Sequence, residues 1–220
     1  MHQILVYADS LTWGIVPNTR QRLAFDERWP GVMEGELLRI GHAVRVIEDA
    51  LNGRRTVWED PYKPGRNGLQ GLEQRVEINS PLSLVMLMLG TNDFQSMHDH
   101  RANHAAQGMV ALIQAVRRAP IEPGMPVPEI AVIAPPPIRT PKGALAWKFE
   151  GSDAKCRGLS DAYAAVAAEH HCRFFDSATV TKSSDVDGIH LDAPQHRVLG
   201  LALAPVVAGW LQSPSSLMAT

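Results

Sequence analysis

Five short apolar runs, at residues 4–7, 43–47, 84–89, 130–134 and 173–175, set the tightest limit on how this chain can fold. None is long enough for a helix. Several carry β-branched residues, and most lack the in–out alternation of a half-exposed strand. That is how strands read when they lie in a parallel sheet covered on both faces. Amphipathic segments separate them. Ala105, Met109, Leu112, Ile113 and Val116 share one helical face, and Leu159, Tyr163 and Val166 repeat the spacing. A last helix is predicted over 194–211, with Pro194 in its first turn. The βαβα alternation predicts an α/β protein: a three-layer α/β/α sandwich on a five-stranded parallel sheet.

A chain of 220 residues suits one such domain, here residues 1–212, and the polar tail 213–220 is expected to be frayed. The Pro- and Gly-rich stretches 60–65, 120–128 and 135–151 fall between elements and read as long ordered loops. With 45% hydrophobic and 20% charged residues, the chain can bury a sizeable core. A net charge of −2 without any Lys/Arg-rich run argues against nucleic acid and anionic membranes as partners. The N-terminus lacks a basic leader, and run 84–89 is too short to span a bilayer, so a cytoplasmic location is expected. Cys156 and Cys172 make no metal-ligand pattern and read as reduced thiols, with a bridge between them as the alternative.

Ser10 lies in Ala8-Asp9-Ser10-Leu11-Thr12-Trp13-Gly14, directly after the first apolar run. A turn there leaves its hydroxyl at a strand's carboxyl end, where open α/β sheets hold their reactive groups. A serine hydroxyl attacks only when a base takes its proton. Asp187 and His190 are three residues apart with Gly188 between them. In a turn, that spacing lets the carboxylate hold one ring nitrogen while the other faces outward as the base. The tetrahedral oxyanion then needs donors. The Ser10 N–H, the Gly53 N–H and the Asn92 side-chain amide are the candidates, since Gly53 and Asn92 also follow strands. Asp9 reads as a bond to backbone groups around the serine turn rather than as the triad acid.

Each of these residues has a plainer reading by itself. Ser10 suits a helix cap, Asn92 an Asx-turn, Gly53 an ordinary turn, and His190 a surface position. Thr91 and Asp93 read as local scaffold. Arg54 and Arg55 read as ion-pair partners of Glu48 or Asp49, with contact to an acidic substrate as the rival. His100 and His104 have the i, i+4 spacing of a helical ligand pair, beside His98. No nearby cysteine completes that set, so neither a metal nor another cofactor is expected. Trp13, Trp58, Phe94 and Trp147 read equally as an apolar wall for an acyl or aryl group and as core or interface residues. Trp13, Ile15, Phe94 and Ile189 are the substrate-pocket candidates.

Four separated blocks carry a family resemblance: Asp9-Ser10-Leu11, Gly53, Gly90-Thr91-Asn92-Asp93 and Asp187-x-x-His190. The chain resembles the SGNH, or GDSL, hydrolases. It is closest in pattern to the bacterial arylesterase/acyltransferase branch, through Asp9 to Gly14, Arg28-Trp29, Arg66-Asn67-Gly68, Met88 to Asp93, Pro135-Pro136-Pro137 and Val186 to His190. The resemblance implies a flavodoxin-like sheet and metal-independent hydrolysis of small aryl or short-chain alkyl esters through an acyl-serine. It also implies acyl transfer to alcohols or peroxide as a further outcome, and a homo-oligomer. A carbohydrate O-deacetylase and a thioesterase are alternatives on the same scaffold. A non-catalytic binding module is the rival of a different class. Two departures from the family pattern are Ala8, where glycine is usual, and Ile15, where relatives often carry Trp.

Overall fold

A computed structural model describes residues 1–212, and the predicted frayed tail 213–220 lies outside the described residues. Five strands form the sheet: β1 (His2–Ala8), β2 (Val44–Ala50), β3 (Leu84–Met88), β4 (Glu129–Ala134) and β5 (Arg173–Asp176). All neighbours pair in parallel, in the order β2-β1-β3-β4-β5. The helices are α1 (Ser10–Trp13), α2 (Trp29–Arg39), α3 (Leu72–Asn79), α4 (Ala102–Arg118), α5 (Ser152–Lys155), α6 (Leu159–Glu169) and α7 (Ala193–Gln212).

Successive strand residues feed opposite layers, because side chains alternate across a sheet. In β1, Ile4, Val6 and Ala8 pack into one apolar cluster with residues of α2 and α7. Leu5 and Tyr7 enter the other, with residues of α3, α4 and α6. Burial on both faces explains the uninterrupted apolar runs, and every residue of β3 is buried. The edges differ: β2 exposes Arg45, and every residue of β5 is only half-buried.

Each of the five runs became a strand, and the three helices read from periodicity are α4, α6 and α7. Helices α2 and α3 escape a sequence reading. Pro30, Gly31 and Gly35 dilute the helical signal of α2, and α3 buries only Leu72 and Val76.

The chain runs from β1 out to β2, then returns past β1 to β3. That reversal opens a crevice beyond the carboxyl ends of β1 and β3, where such sheets bind ligands. Ser10 follows β1, and Asn92 lies four residues after the end of β3.

Candidate active site

Asp9 caps α1, with its Oδ1 accepting the Leu11 N–H at 2.9 Å, and Gly14 ends the helix in the left-handed region. Ser10 is therefore the first residue of a short helix, and its N–H has no acceptor within that helix. Ala8 is the last residue of β1 and does not have a positive φ, so its backbone makes no demand for glycine. Its methyl packs among the apolar residues facing α2 and α7.

Opposite Ser10, residues 184–190 form a tight turn. The Gly188 N–H donates to the Ser184 carbonyl at 2.9 Å, and the Ser184 N–H to the His190 carbonyl at 2.7 Å. The loop after β4 staples this turn from outside, through Arg139 N–H to the Gly188 carbonyl and Lys142 N–H to the Asp187 carbonyl. Gly188 has φ +78°, and a Cβ there would stand 2.3 Å from the Thr140 carbonyl oxygen. Only glycine fits that turn.

Three side chains meet as a result. His190 Nδ1 lies 2.7 Å from Asp187 Oδ2, and His190 Nε2 lies 3.2 Å from Ser10 Oγ. All three residues are buried. Burial alone would raise the Asp187 carboxyl. Its bonds to the His190 ring and to the Ile189 and His190 N–H groups outweigh that effect and hold it below the usual range. The ionised carboxylate assigns the imidazole proton to Nδ1 and leaves the Nε2 lone pair facing the serine.

Gly53 has φ +87° and lines the same cavity as Ser10, Asn92 and His190. Arg66 steadies its turn by donating from Nε to the Asn52 carbonyl at 3.0 Å. Asn92 is more constrained than its sequence suggests. Its Nδ2 donates to Asp9 Oδ2 at 3.0 Å and to the Arg54 carbonyl at 3.1 Å. Gln95 Nε2 donates to Asn92 Oδ1 at 2.8 Å. Gln95 and Asp9 are thus parts of the site that sequence reasoning missed as partners of Asn92. The signal for Gln95 was its position one turn beyond Asn92.

Two carboxyls beneath the site are fully buried. Burial pushes Asp9 up to about 6, against its hydrogen bonds from Leu11 and Asn92. Burial pushes Asp93 up to about 7, against bonds from the Thr56 hydroxyl and N–H. Asp93 thereby ties the loop after β2 to the loop after β3, which is the scaffold role expected of it. Arg54 pairs with Asp49 at 2.7 Å, and Arg55 with Asp60 at 3.4 Å. Both arginines are buried structural groups.

Of the four pocket candidates, only Ile15 lines the cavity above Ser10, whose volume is about 890 Å³. The other three are corrected. Phe94 and Ile189 are buried within the apolar layer facing α4 and α6. Trp13 lies under the Arg22 guanidinium, 4.7 Å from its ring centre. Trp147 does line the cavity and is 71% exposed. Trp58 instead packs against the His100 ring, tilted by 32° with ring centres 4.1 Å apart. His98, His100 and His104 form a run of ring contacts at 4.7 and 5.7 Å. Among the described residues, no group of three or more His, Cys, Asp or Glu side chains is arranged to hold a metal ion. Nor, among them, is any helix long and apolar enough to cross a membrane.

With this geometry in hand, comparison with known proteins is specific. Residues 9–198 match the family model described as the GDSL-like lipase/acylhydrolase family. The native aryl esterase of M. smegmatis is 36% identical, with a TM-score of 0.88 over 95% of this chain and 99% of that one. A carbohydrate acetylesterase from Sinorhizobium meliloti is 33% identical, with a TM-score of 0.89 over 95% and 99%. A lipase/acylhydrolase from Enterococcus faecalis, at 16% identity and a TM-score of 0.67 over 95% and 96%, shares the fold. Among curated proteins, none matches the chain.

Proposed function

The chain belongs to the GDSL-like lipase/acylhydrolase family and is a carboxylic ester hydrolase; from that premise we propose that Ser10, His190 and Asp187 are its catalytic triad. The single observation that carries this reading is the continuous relay from Asp187 Oδ2 through the His190 ring to Ser10 Oγ, at 2.7 and 3.2 Å.

The chemistry follows from the atoms. Ser10 Oγ attacks the ester carbonyl carbon while His190 Nε2 takes its proton. The carbonyl electron pair moves to oxygen, and the new oxyanion accepts bonds from the Ser10 and Gly53 N–H groups and the Asn92 amide. Asn92 enters this set by sharing a hydrogen now held by Asp9 or Arg54. Asp187 fixes the ring and stabilises the imidazolium without itself taking the proton. The C–O bond to the alcohol then breaks, and His190 returns the proton to the leaving oxygen. A water molecule, activated by the same imidazole, releases the acid from the acyl-serine. Another alcohol, or a peroxide, entering in place of that water makes the reaction an acyl transfer.

Aryl and short-chain alkyl esters are the proposed substrates. Similarity to the Sinorhizobium acetylesterase supports an acetylated carbohydrate as the second reading. Turnover of p-nitrophenyl acetate, an acetylated sugar and acetyl-CoA, by wild type and Ser10→Ala, separates esterase, deacetylase and thioesterase. A fluorophosphonate probe is expected to label folded wild type at Ser10 and to spare both Ser10→Ala and heat-denatured protein. Unlabelled folded wild type would identify a binding module instead.

The exposed Trp147 at the cavity mouth supports a homo-oligomer in which a neighbouring copy covers it, and light scattering tests this. The unbridged thiols Cys156 and Cys172 suit a reducing compartment such as the cytoplasm, which cell fractionation tests.

A further inference from the structure

The cavity above Ser10 has a one-sided charge. Arg20, Lys63 and Lys148 line it, and no aspartate or glutamate does. Among the described residues, none of these three side chains has an ion pair or a hydrogen bond. Several other cations of the chain are paired. Arg22 and Arg28 share Glu48, Arg54 and Arg75 share Asp49, and Arg139 and Lys182 share Asp185. The chain as a whole carries −2, so an unpaired cationic wall is not a consequence of composition.

The cations also act on one another. Burial lowers the Lys148 ammonium, and Lys63 and Arg66 lower it further, against the pull of Asp60. Burial likewise lowers Lys63, with Arg66 and Arg20 adding to the effect. Asp60, the carboxylate that acts on both lysines, is itself buried and already paired with Arg55. Bringing an anion among these groups would relieve their mutual repulsion. A cleft lined by one sign of charge also concentrates ligands of the other sign.

We propose that the preferred substrate is an ester bearing a carboxylate or a phosphate group, which Arg20, Lys63 and Lys148 hold while Ser10 attacks the carbonyl. The proposal rests on the serine esterase reading and narrows its substrate class. Lys148, half-buried on the cavity wall, is the inner contact, whereas Arg20 and Lys63 are exposed and draw the anion in. Asn18 and Asn52, on the same wall, add neutral donors.

The test compares para-acetoxybenzoate and para-acetoxyphenyl phosphate with the neutral methyl para-acetoxybenzoate and the cationic para-acetoxyphenyl trimethylammonium ion. Phenyl hydrogen adipate against phenyl methyl adipate places the charge on the acyl side instead. In at least one series, kcat/KM for an anionic ester is expected to exceed that for its neutral partner by about tenfold or more. The two anionic acetates tell carboxylate from phosphate. The triple variant Arg20→Gln, Lys63→Gln, Lys148→Gln is expected to lower the anionic-to-neutral ratio by about tenfold. For wild type, raising ionic strength from about 0.01 M to about 0.1 M shortens the screening length from about 30 Å to about 10 Å and should lower the same ratio. Equal turnover of anionic and neutral esters in both series overturns the proposal, as does a preference that neither the variant nor salt reduces. Absence of Ser10-dependent turnover for every ester sinks the esterase reading too, which is a different result.

Discussion

Asp9 Oδ2 accepts a hydrogen bond from Asn92 Nδ2 at 3.0 Å, joining the residue before the serine to the amide proposed for the oxyanion. The Asp9 carboxyl is almost wholly buried and is pushed up to about 6 by that burial. It is ionised at neutral pH at a cost, and the ionised form fixes the amide.

Asp9→Asn is therefore expected to trade activity for stability. The folded state holds the Asp9 proton up to about 6, whereas the unfolded chain releases it near 3.8. The wild type thus loses stability as pH rises from about 4 to about 6, by at most about 3 kcal/mol at roughly 1.4 kcal/mol per unit. The variant lacks that loss, so its Tm advantage should grow across this window and level off above it. Its kcat should fall about tenfold as Asn92 loses a charged acceptor. Calorimetry at pH 4.5 and 7 with parallel kinetics checks both. A constant Tm difference across the two pH values would show that Asp9 does not titrate there.

Asp187→Asn should leave the fold intact and reduce kcat by about 10⁴, the size of effect seen when a serine protease triad loses its carboxylate. The amide can present its NH₂ to Nδ1 and so favour the wrong tautomer. Asp187 is held below the usual carboxylate range, so it stays ionised at mildly acidic pH and its loss, not its protonation, is what the variant reports. Single-turnover rates against pH, for wild type and variant, test this. A loss of less than about tenfold would remove Asp187 from the relay.

How much of this was legible beforehand depended on whether a residue's role is local. The strands were legible because both faces of β1, β3 and β4 are covered, so composition alone marks them. The triad was legible because Asp187 and His190 share a turn, while Ser10 and Asn92 follow strands that meet at the sheet's point of reversal. Side-chain direction was not legible. Phe94 is two residues from Asn92, and Ile189 is next to His190, yet each turns into the apolar layer instead of the cavity. The two acceptors of the Asn92 amide, Asp9 and the Arg54 carbonyl, lie 83 and 38 positions away, which no local pattern encodes. The cavity's cations come from three separate loops, at 20, 63 and 148, and carry no motif.

Gly188→Ala tests how tightly the turn holds the imidazole. The left-handed φ of +78° costs an L-residue about 1–2 kcal/mol, and the new methyl would meet the Thr140 carbonyl at 2.3 Å. The turn must shift, and His190 shifts with it. A displacement of about 1 Å is expected to cost about 10² in kcat, with KM changed far less. If kcat and Tm both match wild type, the turn is not what positions His190.

His196 sets an acid limit on stability that is separate from catalysis. Its Nδ1 accepts the Trp29 N–H at 3.2 Å, its Nε2 has no partner, and burial pushes it down to about 3. The unfolded chain takes up this proton near 6.5 and the folded chain only near 3, so stability is lost as pH falls through that interval. The loss reaches about 4–5 kcal/mol at the lower end, at roughly 1.4 kcal/mol per unit. His196→Asn keeps an acceptor for the Trp29 N–H and removes the titration. Its unfolding free energy should therefore decline less than that of wild type between pH 6.5 and 4. Parallel declines would place the acid limit elsewhere.

Ile15, which lines the cavity, offers a steric test of the substrate site. It is half-buried on the cavity wall, and its backbone is held by an antiparallel bridge to Arg22. Because the bridge fixes the backbone, Ile15→Trp should add its bulk to the cavity, not displace the loop. Turnover of acetyl esters should change little, whereas longer acyl chains should lose about tenfold or more in kcat/KM, because filled space cannot be recovered in a packed wall. A series from acetate to octanoate on one aryl alcohol reads this directly. An unaltered chain-length profile would mean that Ile15 faces the alcohol side of the cavity, away from the acyl group.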